Sequence, residues 1–180
     1  PQGVDMTSTG PILIAYDGSD DAQHAIDHAA AMLGGADAIV LYVRQPLEGM
    51  AAHAEGHPAL EEVGSIDDAN LDSGERIAAQ GAEHARRAGL NAEARVASSI
   101  DAVAETVVRV ADELDASLVV LGSRGRRGLK SLMLGSVSDH VVHHARRPAL
   151  VVPSPGLAAA RAYVTDAIPD ILLAAQVHGR

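Results

Sequence analysis

Apolar residues in this chain follow two contrasting patterns. Four short runs carry no polar alternation: Ile12-Leu13-Ile14-Ala15, Ala38-Ile39-Val40-Leu41-Tyr42-Val43, Leu118-Val119-Val120-Leu121 and Ala149-Leu150-Val151-Val152. Such runs predict parallel strands covered on both faces, because a half-exposed strand would alternate. Asn91 to Ala97 does alternate, and predicts a strand nearer a sheet edge. Between the runs, apolar positions recur at helical spacing. Helices are predicted over Asp20 to Leu33, stopped by Gly34-Gly35, and over Asp72 to Ala88, closed by Gly89. Two more are predicted over Asp101 to Leu114, with Asp101 as N-cap, and over Ser136 to Ala145.

The resulting order, βαβ, a long connection and then αβαβαβ, predicts an α/β fold. Its centre is an open five-stranded parallel sheet with helices on both faces, a Rossmann-like arrangement. Ligands in such sheets bind beyond the carboxyl ends of the strands, where the winding reverses. The domain is expected over residues 11–153. Gln45 to Ser65 lacks periodicity and reads as an inserted surface loop. Residues 154–180 read as a tail whose one helix is broken at Pro169. Residues 1–10 read as a disordered N-terminus, in which Pro1 to Asp5 are a non-native remnant and Met6 the native start.

Composition narrows the function. Aromatics are 2% of the 180 residues, with no Phe or Trp, so the core is aliphatic and base-stacking platforms are missing. A formal net charge of −10 argues against attraction to nucleic acid. With no cysteine there is neither a disulfide nor a thiolate metal site. No apolar run approaches the ~20 residues that span a bilayer, and the start lacks the basic residue of a secretory signal. The expectation is a cytoplasmic protein without membrane or nucleic-acid partners.

The chemistry concentrates after the strand at Leu118 to Leu121. Gly122-Ser123-Arg124-Gly125 follow it directly, and Gly135-Ser136 open the last helix. Glycines after a strand let main-chain N–H groups approach an anion. A helix start adds uncommitted N–H groups, placing Ser136, Val137 and Ser138 to hold phosphate oxygens. Arg124, Arg126, Arg127 and Lys130 make the intervening loop basic within an acidic chain. An ordinary glycine turn with solvated arginines would explain Gly122 to Gly125 alone, but not the added Gly-Ser at a helix start. A Walker A loop is excluded, because Leu129 separates Gly128 from Lys130.

The spacing Gly122-x2-Gly125-x9-Gly135-Ser136, followed by a helix and Pro148-Ala-Leu-Val-Val, resembles the ATP-binding branch of the universal stress protein family. The opening strand and acidic turn, Ile12 to Ser19, resemble that family too, and the likeness runs from Pro11 to Pro153 outside the Gln45 to Ser65 loop. The resemblance implies an adenine nucleotide alpha hydrolase-like sheet of strand order 3-2-1-4-5 and a bound ATP, with Mg²⁺ or Mn²⁺ as the accompanying ion. By the same resemblance Asp17 lies by the ribose, Ala15 against the base, and the backbone of Val43 against adenine. Gly122, Ser123, Arg124, Gly125, Arg126, Arg127 and Gly128 would wrap ribose and phosphates together with Gly135, Ser136, Val137 and Ser138. A homodimer paired through Ala149 to Val152 is implied as well, along with a protein partner whose identity is unknown. Read from the residues alone, Asp17 is equally a turn carboxylate, as Asp17-Gly18-Ser19 has turn chemistry.

Three i,i+4 histidine pairs, His24/His28, His53/His57 and His140/His144, lack the adjacent glutamate of a catalytic zinc helix and a third ligand. No serine sits in a nucleophile elbow. The expected function is a nucleotide-dependent regulator of stress response or dormancy. The alternative is a slow ATPase using the same site; a pyrophosphatase or flavin-binding relative is weaker, as Asp17-Gly18-Ser19-Asp20 stands where a Ser-Gly-Gly turn would be expected.

Overall fold

The computed structural model describes residues 10–46, 59–99, 102–125 and 134–162. Along the chain come β1 (Ile12–Ala15), α1 (Asp20–Leu33), β2 (Asp37–Arg44), α2 (Ala59–Ala88) and β3 (Asn91–Ser98). They are followed by α3 (Val103–Glu113), β4 (Leu118–Gly122), α4 (Ser136–His144) and β5 (Ala149–Val152). A further helical stretch occupies 155–162. The five strands form one parallel sheet in the order β3-β2-β1-β4-β5. This is the expected α/β architecture.

Successive residues of β1 explain the unbroken apolar runs. Ile12 and Ile14 point to one face, where they meet Ala25, Ile26 and Ala29 of α1 and Ala82 and Ala85 of α2. Leu13 points to the other, among Val107, Val110 and Ala111 of α3 and Val141 of α4. Side chains alternate across a strand, so a strand covered on both sides needs every position apolar. β3 lies at the edge, and its alternation follows from being covered less completely.

Two expectations need correction. Helix α2 begins at Ala59, so residues 59–65 of the stretch read as a surface loop are helical. Gly64 and Ser65 look like breakers, yet one glycine costs a helix only about 1 kcal/mol against alanine. At α3 the N-cap position is Ala102, without a side-chain cap, so Asp101 does not fill that role. Residues 1–9, 47–58 and 163–180, with Met6, Pro169 and the pair His53/His57, lie outside the described residues. Among the described residues no helix is long and apolar enough to cross a membrane.

Candidate functional site

From β1 the chain winds outward through β2 to β3, then crosses back to β4 on the other side of β1. Winding therefore reverses between β1 and β4, and the turns leaving these two strands share one crevice. After β1, the Asp17 carboxylate closes its own turn: Oδ1 accepts from the Ser19 N–H (3.0 Å) and from the Ser19 hydroxyl (2.6 Å). Gly18 sits between them at φ 83°, a conformation that favours glycine. Ser19 Oγ then accepts the Ala22 N–H at 3.2 Å and caps α1. Asp17 is thus held half-buried at a fixed place.

The turn after β4 meets it. A Cβ added to Gly125 would stand 2.7 Å from Asp17 Oδ2. One added to Gly122 would stand 2.9 Å from the carbonyl oxygen of Asp21, in the first turn of α1. Both glycines therefore occupy places where a side chain would collide, and the two turns touch across the crevice.

Ser123 organises the next layer from inside. Its N–H donates to the Val152 carbonyl (2.8 Å), and its own carbonyl accepts from the Gly135 N–H (2.8 Å) and the Ser138 hydroxyl (3.0 Å). Its hydroxyl accepts the Ser154 N–H at 3.3 Å. The Ser138 hydroxyl also lies 2.9 Å from the Gly135 carbonyl. Both serines are buried. Their hydroxyls hold the β4 turn to the start of α4, so Ser138 has only its main-chain N–H to offer a ligand.

That helix start is uncapped. Gly135 is the N-cap and makes no side-chain hydrogen bond, whereas Ser19 caps α1. The first intrahelical bond runs from Asp139 N–H to the Gly135 carbonyl (2.8 Å), so the N–H groups of Ser136, Val137 and Ser138 precede the ladder. Asp139, the acid of this first turn, has its carboxylate 3.8 Å from His143 Nδ1. A helix end with free N–H groups, no side-chain cap and a side-chain-free approach fits a phosphate-sized anion.

At the β2 side, Leu41 O accepts the Tyr16 N–H at 2.9 Å, so the main-chain groups of Leu41 face β1. Those of Val43, two residues on, face the same way but lie past the last register pair, Ala15 with Leu41. Ala15, Val43 and Val137 pack against one core cluster, on one face of the sheet. The structure thus brings Ala15, Asp17, Val43, Gly122, Ser123, Arg124, Gly125 and Gly135 to Ser138 to the carboxyl ends of neighbouring strands. Arg126, Arg127, Gly128 and Lys130 lie outside the described residues.

Among the described residues no three His, Cys, Asp or Glu side chains are grouped to hold a metal ion. In the pairs His24/His28 and His140/His144 the rings meet at 4.3 and 4.1 Å, and the second Nδ1 donates to the first residue's carbonyl. One polar group is conspicuous for a different reason. Nothing in Ser98-Ser99 distinguishes it from an ordinary loop, yet Ser99 is 3% exposed and its hydroxyl has no hydrogen-bond partner.

Known proteins share these features. Among curated relatives, a universal stress protein of Methanocaldococcus jannaschii is 30% identical over 146 residues, covering 80% of this chain and 82% of the relative. The universal stress protein YxiE of Bacillus subtilis is 32% identical over 145 residues, covering 78% and 97%. The solved universal stress protein of Archaeoglobus fulgidus in complex with dAMP superposes with a TM-score of 0.57 at 24% identity, covering 79% of this chain and 97% of that one. The model of the universal stress protein family matches residues 9–153, from before β1 to just after β5. With this match added to the strand order and the crevice between β1 and β4, the chain belongs to the universal stress protein family.

Proposed function

We propose that the protein binds ATP in the crevice between the β1 and β4 turns and acts in the cytoplasm as a nucleotide-dependent regulator of stress response or dormancy. The observation that carries this reading is the meeting of Asp17, side-chain-free Gly125 and the uncapped start of α4 at one switch point. In this reading the phosphates lie on the N–H groups of Ser136, Val137 and Ser138 and along the Gly122 to Gly128 turn. The Asp17 carboxylate accepts a ribose hydroxyl, a charge-assisted bond. The base lies beside Ala15 and the main chain of Val43. Mg²⁺ or Mn²⁺ arriving with the phosphates would offset their charge. The complex of the Archaeoglobus fulgidus relative with dAMP agrees with an adenine nucleotide as ligand.

Binding is favoured over hydrolysis by the state of Asp17. Its Oδ1 is occupied by two donors from Ser19, which suits a fixed acceptor better than a base that must take a proton from water. Regulation also needs a listener, and β5, at the sheet edge, supports pairing with a second copy of the chain.

Isothermal titration of the purified protein with ATP, with and without Mg²⁺, tests the reading. Saturable binding, weakened by Asp17→Ala and without turnover, is the expected result. No binding by the wild-type chain would overturn it, and Mg²⁺-dependent turnover lost on Asp17→Ala would replace it with the ATPase reading.

A further inference from the structure

The buried hydroxyl of Ser99 is the one polar group near this crevice that the account above leaves unused. Ser99 N–H donates to the Arg44 carbonyl at 2.8 Å, which extends the β2–β3 pairing one residue past Arg44 with Ser98. Side chains in an extended segment alternate, so Ser99 shares its face with Ala97. Ala97 belongs to the same cluster as Ala15, Val43 and Val137, the face onto which the start of α4 packs. Ser99 therefore stands at the carboxyl end of the sheet, on the ligand side, one strand beyond Val43.

Burying a hydroxyl without a partner is unfavourable, and native proteins rarely leave one so. Ser99 is 97% removed from solvent by the same measure that finds it 3% exposed, and no partner exists among the described residues. Its position supplies a reason. The sheet runs β4, β1, β2, β3, with strands about 4.8 Å apart. Phosphates at β4 and α4, ribose at Asp17 and base at Val43 follow that line, and its next station is Ser99. Two strand spacings, roughly 9.5 Å, separate β1 from β3, a span that a nucleoside laid along the edge crosses.

We infer that the Ser99 hydroxyl is a specificity-determining contact for the nucleobase, accepting a hydrogen bond from the exocyclic amine at the far edge of adenine. This rests on the nucleotide reading above, and deepens it by naming what recognises the base. The amine loses its water on entering the crevice and regains an acceptor at Ser99, while the hydroxyl gains the partner it lacks.

The test compares wild type and Ser99→Ala with two ligands, ATP and purine riboside triphosphate, which lacks the 6-amino group. Wild type is expected to prefer ATP by roughly fivefold to tenfold, the worth of one hydrogen bond, and Ser99→Ala to bind the two alike. Without ligand, Ser99→Ala should melt at or above the wild-type temperature, since it removes an unpartnered buried group. Equal losses for both ligands, or a clear drop in melting temperature, would mean a structural role and overturn the inference. An unchanged ATP preference in Ser99→Ala would also overturn it, leaving the hydroxyl to an ordered water. Wild-type protein that binds neither ligand would instead defeat the nucleotide reading itself.

Discussion

Gly125 and Asp17 are in contact: the space a Gly125 side chain would fill is taken by Asp17 Oδ2, 2.7 Å from where its Cβ would stand. The collision would be with the tip of a side chain, which can swing aside, and not with main chain. Gly125→Ala should therefore fold and melt like wild type while displacing the carboxylate proposed to hold the ribose. ATP affinity should fall about tenfold or more, the worth of a hydrogen bond to a charged group. Calorimetry beside a thermal melt checks both halves, and undiminished affinity would remove Asp17 from the site.

Gly122 should behave differently, although it belongs to the same motif. Its added Cβ would meet the Asp21 carbonyl carbon and oxygen at 3.0 and 2.9 Å, and that main chain belongs to the capped first turn of α1. Neither side yields cheaply, so Gly122→Ala should destabilise the fold by about 1–3 kcal/mol. Urea denaturation reads this directly. A variant as stable as wild type would show that the strand end can move.

Ser136 offers a way to remove one phosphate donor without touching the fold. It is the first residue of α4, where its N–H has no helical partner and proline is well tolerated. Gly135 before it is extended (φ −69°, ψ 159°), as a residue preceding proline must be. Ser136→Pro should keep its melting temperature and lose about tenfold in ATP affinity. Equal affinity would place the phosphates away from this helix end.

Gly81 tests the core beneath the site. Its Cβ would stand 2.6 Å from the buried ring of Tyr16, which leads directly into Asp17, and 2.9 Å from Val40. Alanine gains about 1 kcal/mol of helix propensity, but overpacking costs about 1–3 kcal/mol. Gly81→Ala should be net destabilising in chemical denaturation, and a stabilised variant would contradict the packing.

Much of this was readable from residues in order. β1, β2, β4 and β5 were visible because the sheet is covered on both faces, which leaves apolar runs, and β3 because an edge leaves alternation. The first turns of α2 were not, since Gly64 and Ser65 carry loop-like signals that a long helix tolerates. The motif serines looked alike in sequence; only packing separates exposed Ser136 from Ser138, whose hydroxyl is spent on Ser123 and Gly135. The apposition of Asp17 and Gly125 and the burial of Ser99 depend on which strands become neighbours, which no local pattern encodes.

Ser123 gives the β4 turn a mechanical property. Through its N–H, carbonyl and hydroxyl this one residue is fastened at once to Val152 at the end of β5, to Gly135 and Ser138 of α4, and to Ser154 just beyond the sheet. Ser154 in turn caps the helical stretch 155–162 by accepting the Leu157 N–H at 3.2 Å. A shift of the β4 turn therefore cannot stay local: it pulls on the outer strand and on the helix that follows. The crevice and the sheet's outer border are geared together through one serine.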